Sequence, residues 1–259
     1  MFFKIAAHSD VGIVKETNQD SVLVKVAQTN HGRVCLCVVC DGMGGLSNGE
    51  LASATVIREF EHWFEKQLPP MLSTPVFPVE ELRLQWDNIV LMQNDKLTAY
   101  ASKTGTRMGT TAVAFLILGD KYYVMNVGDS RAYMLSDAIY QLTKDQTYVQ
   151  YEMDMGHMTL EQAQNHPQRN VLLQCIGASE VIKPDYFVGD VEPDMTFILC
   201  SDGFRHVISP DEIYEKLRPD ILDNEEVMLQ NARDLVELNK SRKEVDNISV
   251  AVIRTCREE

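Results

Sequence analysis

Strand-length apolar runs and helix-spaced stripes alternate along this chain, and four of the runs meet an aspartate at one end. Three run into it: residues 34–40 into Asp41-Gly42-Met43-Gly44-Gly45, 122–127 into Gly128-Asp129-Ser130-Arg131, and 196–200 into Ser201-Asp202-Gly203. The fourth leaves it, with Asp246-Asn247 ahead of residues 248–253. Each run has the length and the β-branched, aromatic and Cys content of a buried strand. An Asp-Gly pair is an ordinary turn signal, so one such site carries no further meaning. Four in one chain, with Asn18-Gln19-Asp20 near the start, exceed what turns require. Strands packed together deliver these carboxylates to one place, where cations must neutralise them. Oxygen-only ligands of this kind suit Mg²⁺ or Mn²⁺.

The remaining pattern predicts the frame. Residues 20–27 and 34–40 form neighbouring strands joined through Asn30-His31-Gly32. Residues 49–68 form a helix whose buried stripe is Leu51, Ala54, Ile57, Phe60, Phe64 and Leu68. Pro69, Pro70, Pro75 and Pro78 then break the chain into a connector. A second helix covers residues 80–102, with Leu82, Trp86, Val90, Leu97 and Ala101 on one face. Residues 110–118 and 121–127 make a hairpin around Gly119-Asp120, and 131–135 continues the meander. Residues 144–180 are polar, without a long apolar period, as functional loops often are. A short helix from Pro210, a longer one over 224–239 with Met228, Ala232, Leu235 and Leu238 inward, and strand 248–253 complete the chain. Hairpin-joined strands with grouped helices predict an α+β fold with largely antiparallel sheets. Acids near both termini must meet, so residues 1–259 are expected to form one domain.

The net charge of −14 argues against a nucleic-acid partner, which needs a basic footprint. No apolar run has the length of a membrane span, and the first ten residues lack a signal-peptide core, so a cytoplasmic protein is expected. Of six cysteines, Cys35, Cys37 and Cys40 lie in one strand as small hydrophobes, and the spacing shows neither a disulfide framework nor a zinc pattern.

One ordered set of motifs covers nearly the whole chain. It comprises Ser9-Asp10-Val11-Gly12, Asn18-Gln19-Asp20, Asp41-Gly42-Met43-Gly44-Gly45 with Gly49-Glu50 and Ala52-Ser53, and Met108-Gly109-Thr110-Thr111. Gly128-Asp129-Ser130-Arg131, Leu142-Thr143-Lys144-Asp145, His166-Pro167 with Arg169-Asn170, Ser201-Asp202-Gly203 and Asp246-Asn247 complete it. In this order the motifs resemble the metal-dependent PP2C (PPM) family of protein serine/threonine phosphatases, particularly its compact bacterial members. The resemblance implies two packed antiparallel sheets flanked by helices, with metals in a cleft at one end. It implies that Asp41 bridges two Mn²⁺ or Mg²⁺ ions and that the Gly42 carbonyl ligates one of them. Asp20, Asp202 and Asp246 would hold the pair directly or through waters, and Asp129 would help place a third, weaker ion shared with Asp202. Two such ions acidify a water between them, which makes hydroxide available to attack the phosphorus of phosphoserine or phosphothreonine. The expected partners are phosphoprotein substrates and a cognate Ser/Thr kinase, the expected state a monomer, and residues 144–180 the flap beside the cleft.

The chain also departs from that pattern. The family's phosphate-gripping Arg falls at Lys15, which offers one compact charge in place of a planar fork and implies looser phosphate binding. Leu46 stands where many bacterial members place a His as a candidate general acid, a role for which His206, His157 and His166 are conceivable substitutes. Gln19 replaces the usual Glu before the ligand Asp20, and Lys144-Asp145-Gln146 replaces the common Asp-His ending of its motif. Lys15 and Leu46 are the grounds for the alternative of a catalytically weak relative that binds phosphoproteins as a regulatory module. The five ligand aspartates argue against it, since clustered buried acids are costly to keep.

Overall fold

A computed structural model of the chain describes residues 1–43 and 48–257. Leu46, whose identity bears on the general acid, lies outside the described residues. In chain order the strands and helices are β1 (Phe2–Asp10), β2 (Ser21–Thr29), β3 (Gly32–Cys40), β4 (Gly42–Met43), α1 (Gly49–His62), α2 (Leu68–Met71) and α3 (Val79–Thr104). Next come β5 (Gly109–Thr110), β6 (Ala112–Leu118), β7 (Lys121–Val127), β8 (Arg131–Leu135), β9 (Ile139–Gln141), α4 (Tyr148–Asp154) and α5 (Leu160–Gln164). The last are β10 (Asp185–Asp190), β11 (Thr196–Cys200), α6 (Asp202–Arg205), α7 (Pro210–Leu217), α8 (Glu225–Ser241) and β12 (Ile248–Cys256).

Two antiparallel five-stranded sheets, ordered β1-β12-β11-β8-β9 and β10-β7-β6-β3-β2, pack face to face. Strand β3 shows why its sequence is apolar throughout. Cys35, Cys37 and Val39 face the other sheet and pack in one cluster with Phe197 and Ile253 from it and with Phe115 of the neighbouring β6. Val34, Leu36, Val38 and Cys40 face the layer of α1 and α3, against Phe60, Trp63 and Trp86. A strand buried on both faces cannot alternate with polar residues. The other sheet is covered by α7 and α8 through Ile213, Leu217, Met228, Ala232 and Leu235. The result is a helix–sheet–sheet–helix sandwich, as the α+β reading expected. All six cysteines are free. No helix among the described residues is long and apolar enough to cross a membrane.

Three expectations need correction. The buried stripe that starts in α1 runs through Ala52, Val56 and Phe60 into Trp63, Phe64 and Leu68. Phe60, Phe64 and Leu68 are thus buried as read, whereas Leu51 is exposed and Ala54 and Ile57 only half-buried. The large Trp63, wedged edge-on against Trp86, sets the helix rotation rather than Leu51. After α1, residues Trp63–Gln67 widen into a π turn, so Pro69 and Pro70 sit in the first turn of α2, where a missing N–H costs nothing. Strand β8 does not continue the meander. The chain turns at Gly128, whose φ is +100°, and crosses to the opposite sheet, where β8 pairs with β11. The hairpin around Gly119 and the face of α3 stand as read.

Candidate active site

Strand register alone brings the acids to one end of the sandwich. Ser21 pairs with Cys40, so Asp20, just ahead of β2, stands beside Asp41, just beyond β3. Val39 pairs with Val113 and Ala112 with Val127, which puts the Gly128-Asp129 turn at the same end. In the facing sheet Cys200 pairs with both Val250 and Arg131, placing Asp202, Asp246 and the start of β8 there too.

Each acid is held by its backbone. The Asp41 N–H donates to Thr111 Oγ1 (3.0 Å), and its carbonyl accepts from Thr111 N and Thr110 Oγ1 (2.9 Å each). Thr111 Oγ1 in turn meets Ser130 Oγ at 2.7 Å, which couples the Asp41 and Asp129 turns. Gly203 lies so close to Asn247 that a Cβ there would overlap the Asn247 carbonyl oxygen, which explains the glycine after Asp202. Asn247 is the anchor for the loop that carries Lys15. Its Oδ1 accepts from Gln19 N (2.9 Å), and its Nδ2 donates to the carbonyls of Val11 (2.9 Å) and Thr17 (3.1 Å). Asn247→Ala removes all three bonds and orphans a buried N–H. The expected loss is about 2–4 kcal/mol, read as a fall in Tm of roughly 10 °C in thermal unfolding. An unchanged Tm would show that the loop is held elsewhere.

Burial and mutual repulsion dominate the electrostatics of these acids. Burial and then the charges of Asp20, Asp202, Asp129 and Asp246 hold the Asp41 carboxyl well above the usual carboxylate range. Burial pushes Asp20 up to about 7; the nearby Ser249 and Ser201 hydroxyls pull the other way without closing a hydrogen bond, and Asp202 and Asp246 add to the rise. Burial and Asp202 push Asp129 up to about 7 against the pull of Arg205. Both oxygens of Asp20 and Oδ1 of Asp202 are buried with no hydrogen-bond partner among the described residues. Buried carboxylate oxygens left unpaired in a mutually repelling group fit oxygen-seeking divalent cations. Among the described residues no three such side chains already form a closed cation cage.

Lys15 Nζ lies 2.9 Å from Asp246 Oδ1, so its ammonium reaches the acid group. Burial is the largest single influence and would lower its pKa, but the hydrogen bond to Asp246 and the charges of Asp246, Asp41 and Asp202 together raise it. His206 stands between two acids, with Nε2 3.7 Å from Asp202 Oδ2 and Nδ1 3.5 Å from Glu244 Oε2. Glu244 also accepts from the N–H groups of Val245 (2.8 Å) and Asp246 (3.0 Å), so it holds the approach to β12. His157 pairs instead with Glu152 at 3.2 Å, and His166 packs against Tyr148, both within residues 144–180. The segment 144–180 is fastened beside Asp41 by the Thr110–Ile176 bridge.

The Lys144-Asp145-Gln146 departure acquires a structural account. Asp145 accepts two 2.7 Å hydrogen bonds from Arg131, Gln146 Oε1 accepts from Gly128 N at 2.7 Å, and Lys144 pairs with Asp154 at 2.6 Å. The sequence reading missed Arg205, which touches Asp129 and Asp145, and missed the anchoring by Glu244. Arg205 follows Asp202 by one helical turn, and that spacing was the available signal.

Comparison with known proteins agrees with the geometry. Residues 8–246 match the family described as Protein phosphatase 2C. The chain is 31% identical over 256 residues to the serine/threonine protein phosphatase PstP of Mycobacterium tuberculosis, covering 97% of this chain and 45% of PstP. It thus spans about half the length of that relative. The S. agalactiae serine/threonine phosphatase superposes with a TM-score of 0.83 at 28% identity, over 98% of this chain and 100% of that one. The catalytic domain of PstP, solved with two manganese ions, superposes with a TM-score of 0.79 at 29% identity, over 98% of this chain and 99% of that one.

Proposed function

We propose that this chain, which belongs to the protein phosphatase 2C family, is a divalent-metal-dependent phosphatase of phosphoserine and phosphothreonine in proteins. The observation that carries the reading is the convergence of five aspartates at one end of the sandwich, with Asp20 and Asp202 oxygens buried and unpaired. Asp41, Asp20, Asp202 and Asp246, with the Gly42 carbonyl, are the residues that would hold two ions, Mn²⁺ or Mg²⁺. Manganese is the ion found with the PstP catalytic domain. Ions held here supply Lewis-acid polarisation of the phosphoryl group and acidify water near neutral pH.

The chain's own residues do the rest. The Asn247-anchored loop presents Lys15 at the edge of the acid group, where its ammonium can meet a phosphate dianion. Asp246 orients that ammonium until substrate arrives. The Thr110, Thr111 and Ser130 hydroxyls fix the Asp41 and Asp129 backbones, so the acids keep their spacing without rearrangement. Residues 1–259 act as one domain, with 144–180 as the flap beside the cleft. The substrates require a protein Ser/Thr kinase to produce them, and the chain acts as a cytoplasmic monomer. No observation favours the phosphoprotein-binding alternative.

Steady-state kinetics on a phosphothreonine peptide and on sugar phosphates test this reading. Lys15→Ala raises KM for the peptide about tenfold, the worth of one partly exposed charge-assisted contact, with a smaller effect on kcat. Lys15→Arg lowers KM by restoring the fork. Unchanged KM and kcat in Lys15→Ala remove the phosphate-binding role. Faster turnover of sugar phosphates than of the peptide would move the substrate class to small metabolites.

A further inference from the structure

Apart from Asp202, whose charge also reaches Asp129 and which is assigned to the two-ion core, the carboxylates and guanidiniums at the Asp129 end of the site are equal in number. Arg131 grips Asp145 through Nε and Nη2, and Arg205 Nη2 donates to the Asp129 main-chain oxygen at 2.9 Å. The same Nη2 lies 3.3 Å from Asp145 Oδ2 and 3.5 Å from Asp129 Oδ2. Two carboxylates therefore face two guanidiniums, and the side chains of Asp129, Asp145 and Arg205 are only 9%, 9% and 12% exposed. A guanidinium stays charged at any pH at which proteins fold. Arg205 is also fixed in place, because its backbone partner does not depend on the charge of Asp129. A divalent cation added at Asp129 would give this enclosed quartet a net charge of about +2, within a few ångströms of Arg205 and with little water to screen it.

We infer that Arg205 takes the place of the third, weaker cation at Asp129, so that this chain binds two divalent ions and neutralises Asp129 with its own side chain. The inference rests on the metal-dependent reading above. It makes Arg205 a positioning residue, carried on the same short helix as Asp202, and it leaves the two-ion core to Asp41, Asp20, Asp202 and Asp246.

Mn²⁺ binding to the full chain, counted by calorimetry and by electron paramagnetic resonance of the free ion, tests it without any activity assay. The wild type is expected to saturate at two Mn²⁺ per chain. Asp129→Asn is expected to bind the same number with unchanged affinity, because no ion depends on Asp129. Arg205→Gln leaves Asp129 without its cation and is expected to gain a third, weaker Mn²⁺. A third Mn²⁺ on the wild type that disappears in Asp129→Asn overturns the inference, and so does a folded Arg205→Gln protein that still binds two. If Arg205→Gln does not fold, the Asp129→Asn comparison decides alone. A wild type that binds no Mn²⁺ at all overturns the metal-dependent reading itself, and the inference with it.

Discussion

Replacing Asp41 with asparagine lowers turnover of a phosphothreonine peptide by about 10³-fold or more, while the metal-free protein becomes more stable. The first effect follows from the ions that Asp41 would help to hold: losing such a ligand would remove several kcal/mol of transition-state stabilisation, and 1.36 kcal/mol is one decade in rate. The second follows from repulsion. Burial and then the charges of Asp20, Asp202, Asp129 and Asp246 oppose ionisation of Asp41, and a neutral amide of the same shape relieves both. A structural residue behaves the other way, losing stability and activity together. Thermal unfolding in EDTA beside kinetics in Mn²⁺ separates the two cases, and a lower Tm for Asp41→Asn would contradict this account of the site.

Metal also inverts the pH dependence of stability. Burial chiefly, with neighbouring acids, pushes Asp20 and Asp129 up to about 7, and Asp41 is raised as well. In the unfolded chain these groups titrate near pH 4. The folded protein therefore binds protons that the unfolded chain has released, and the resulting stability is complete below about pH 4 and lost as pH rises through about 7. In EDTA, Tm is expected to fall between pH 5 and pH 8. Saturating Mn²⁺ requires ionised ligands, so it reverses that slope and stabilises most at the higher pH. At a hundredfold excess over Kd the gain is about 2.7 kcal/mol, or about 5–10 °C in a chain of this size. A metal-free Tm that rises from pH 5 to pH 8 would show that these acids are not raised.

The clustered aspartates are easier to read from the sequence than the scaffold that brings them together. Strands β3, β7, β11 and β12 are largely buried on both faces, so they read as mostly apolar runs, and the aspartates stand out against them. Strands β1 and β10 escaped notice because edge strands keep polar residues: Phe2–Asp10 carries Lys4 and His8, and Asp185–Asp190 has no fully buried position. The crossing of β8 to the other sheet leaves no local trace, since Arg131–Leu135 serves either pairing equally well. In α1 the competing stripes contain similar residues, and only the partner surface of Trp86 selects Val56 and Trp63 over Leu51 and Ile57. The Arg131–Asp145–Arg205–Asp129 quartet comes from separate turns, so only tertiary structure brings it together.

Release of inorganic phosphate from a phosphothreonine peptide by the wild-type chain, in millimolar Mn²⁺ and in EDTA, tests the central claim most directly. The account predicts turnover in Mn²⁺ and none in EDTA, with the Mn²⁺ rate lost in Asp41→Asn. No turnover in Mn²⁺ while the same ion still raises Tm, or equal turnover in EDTA, would contradict it.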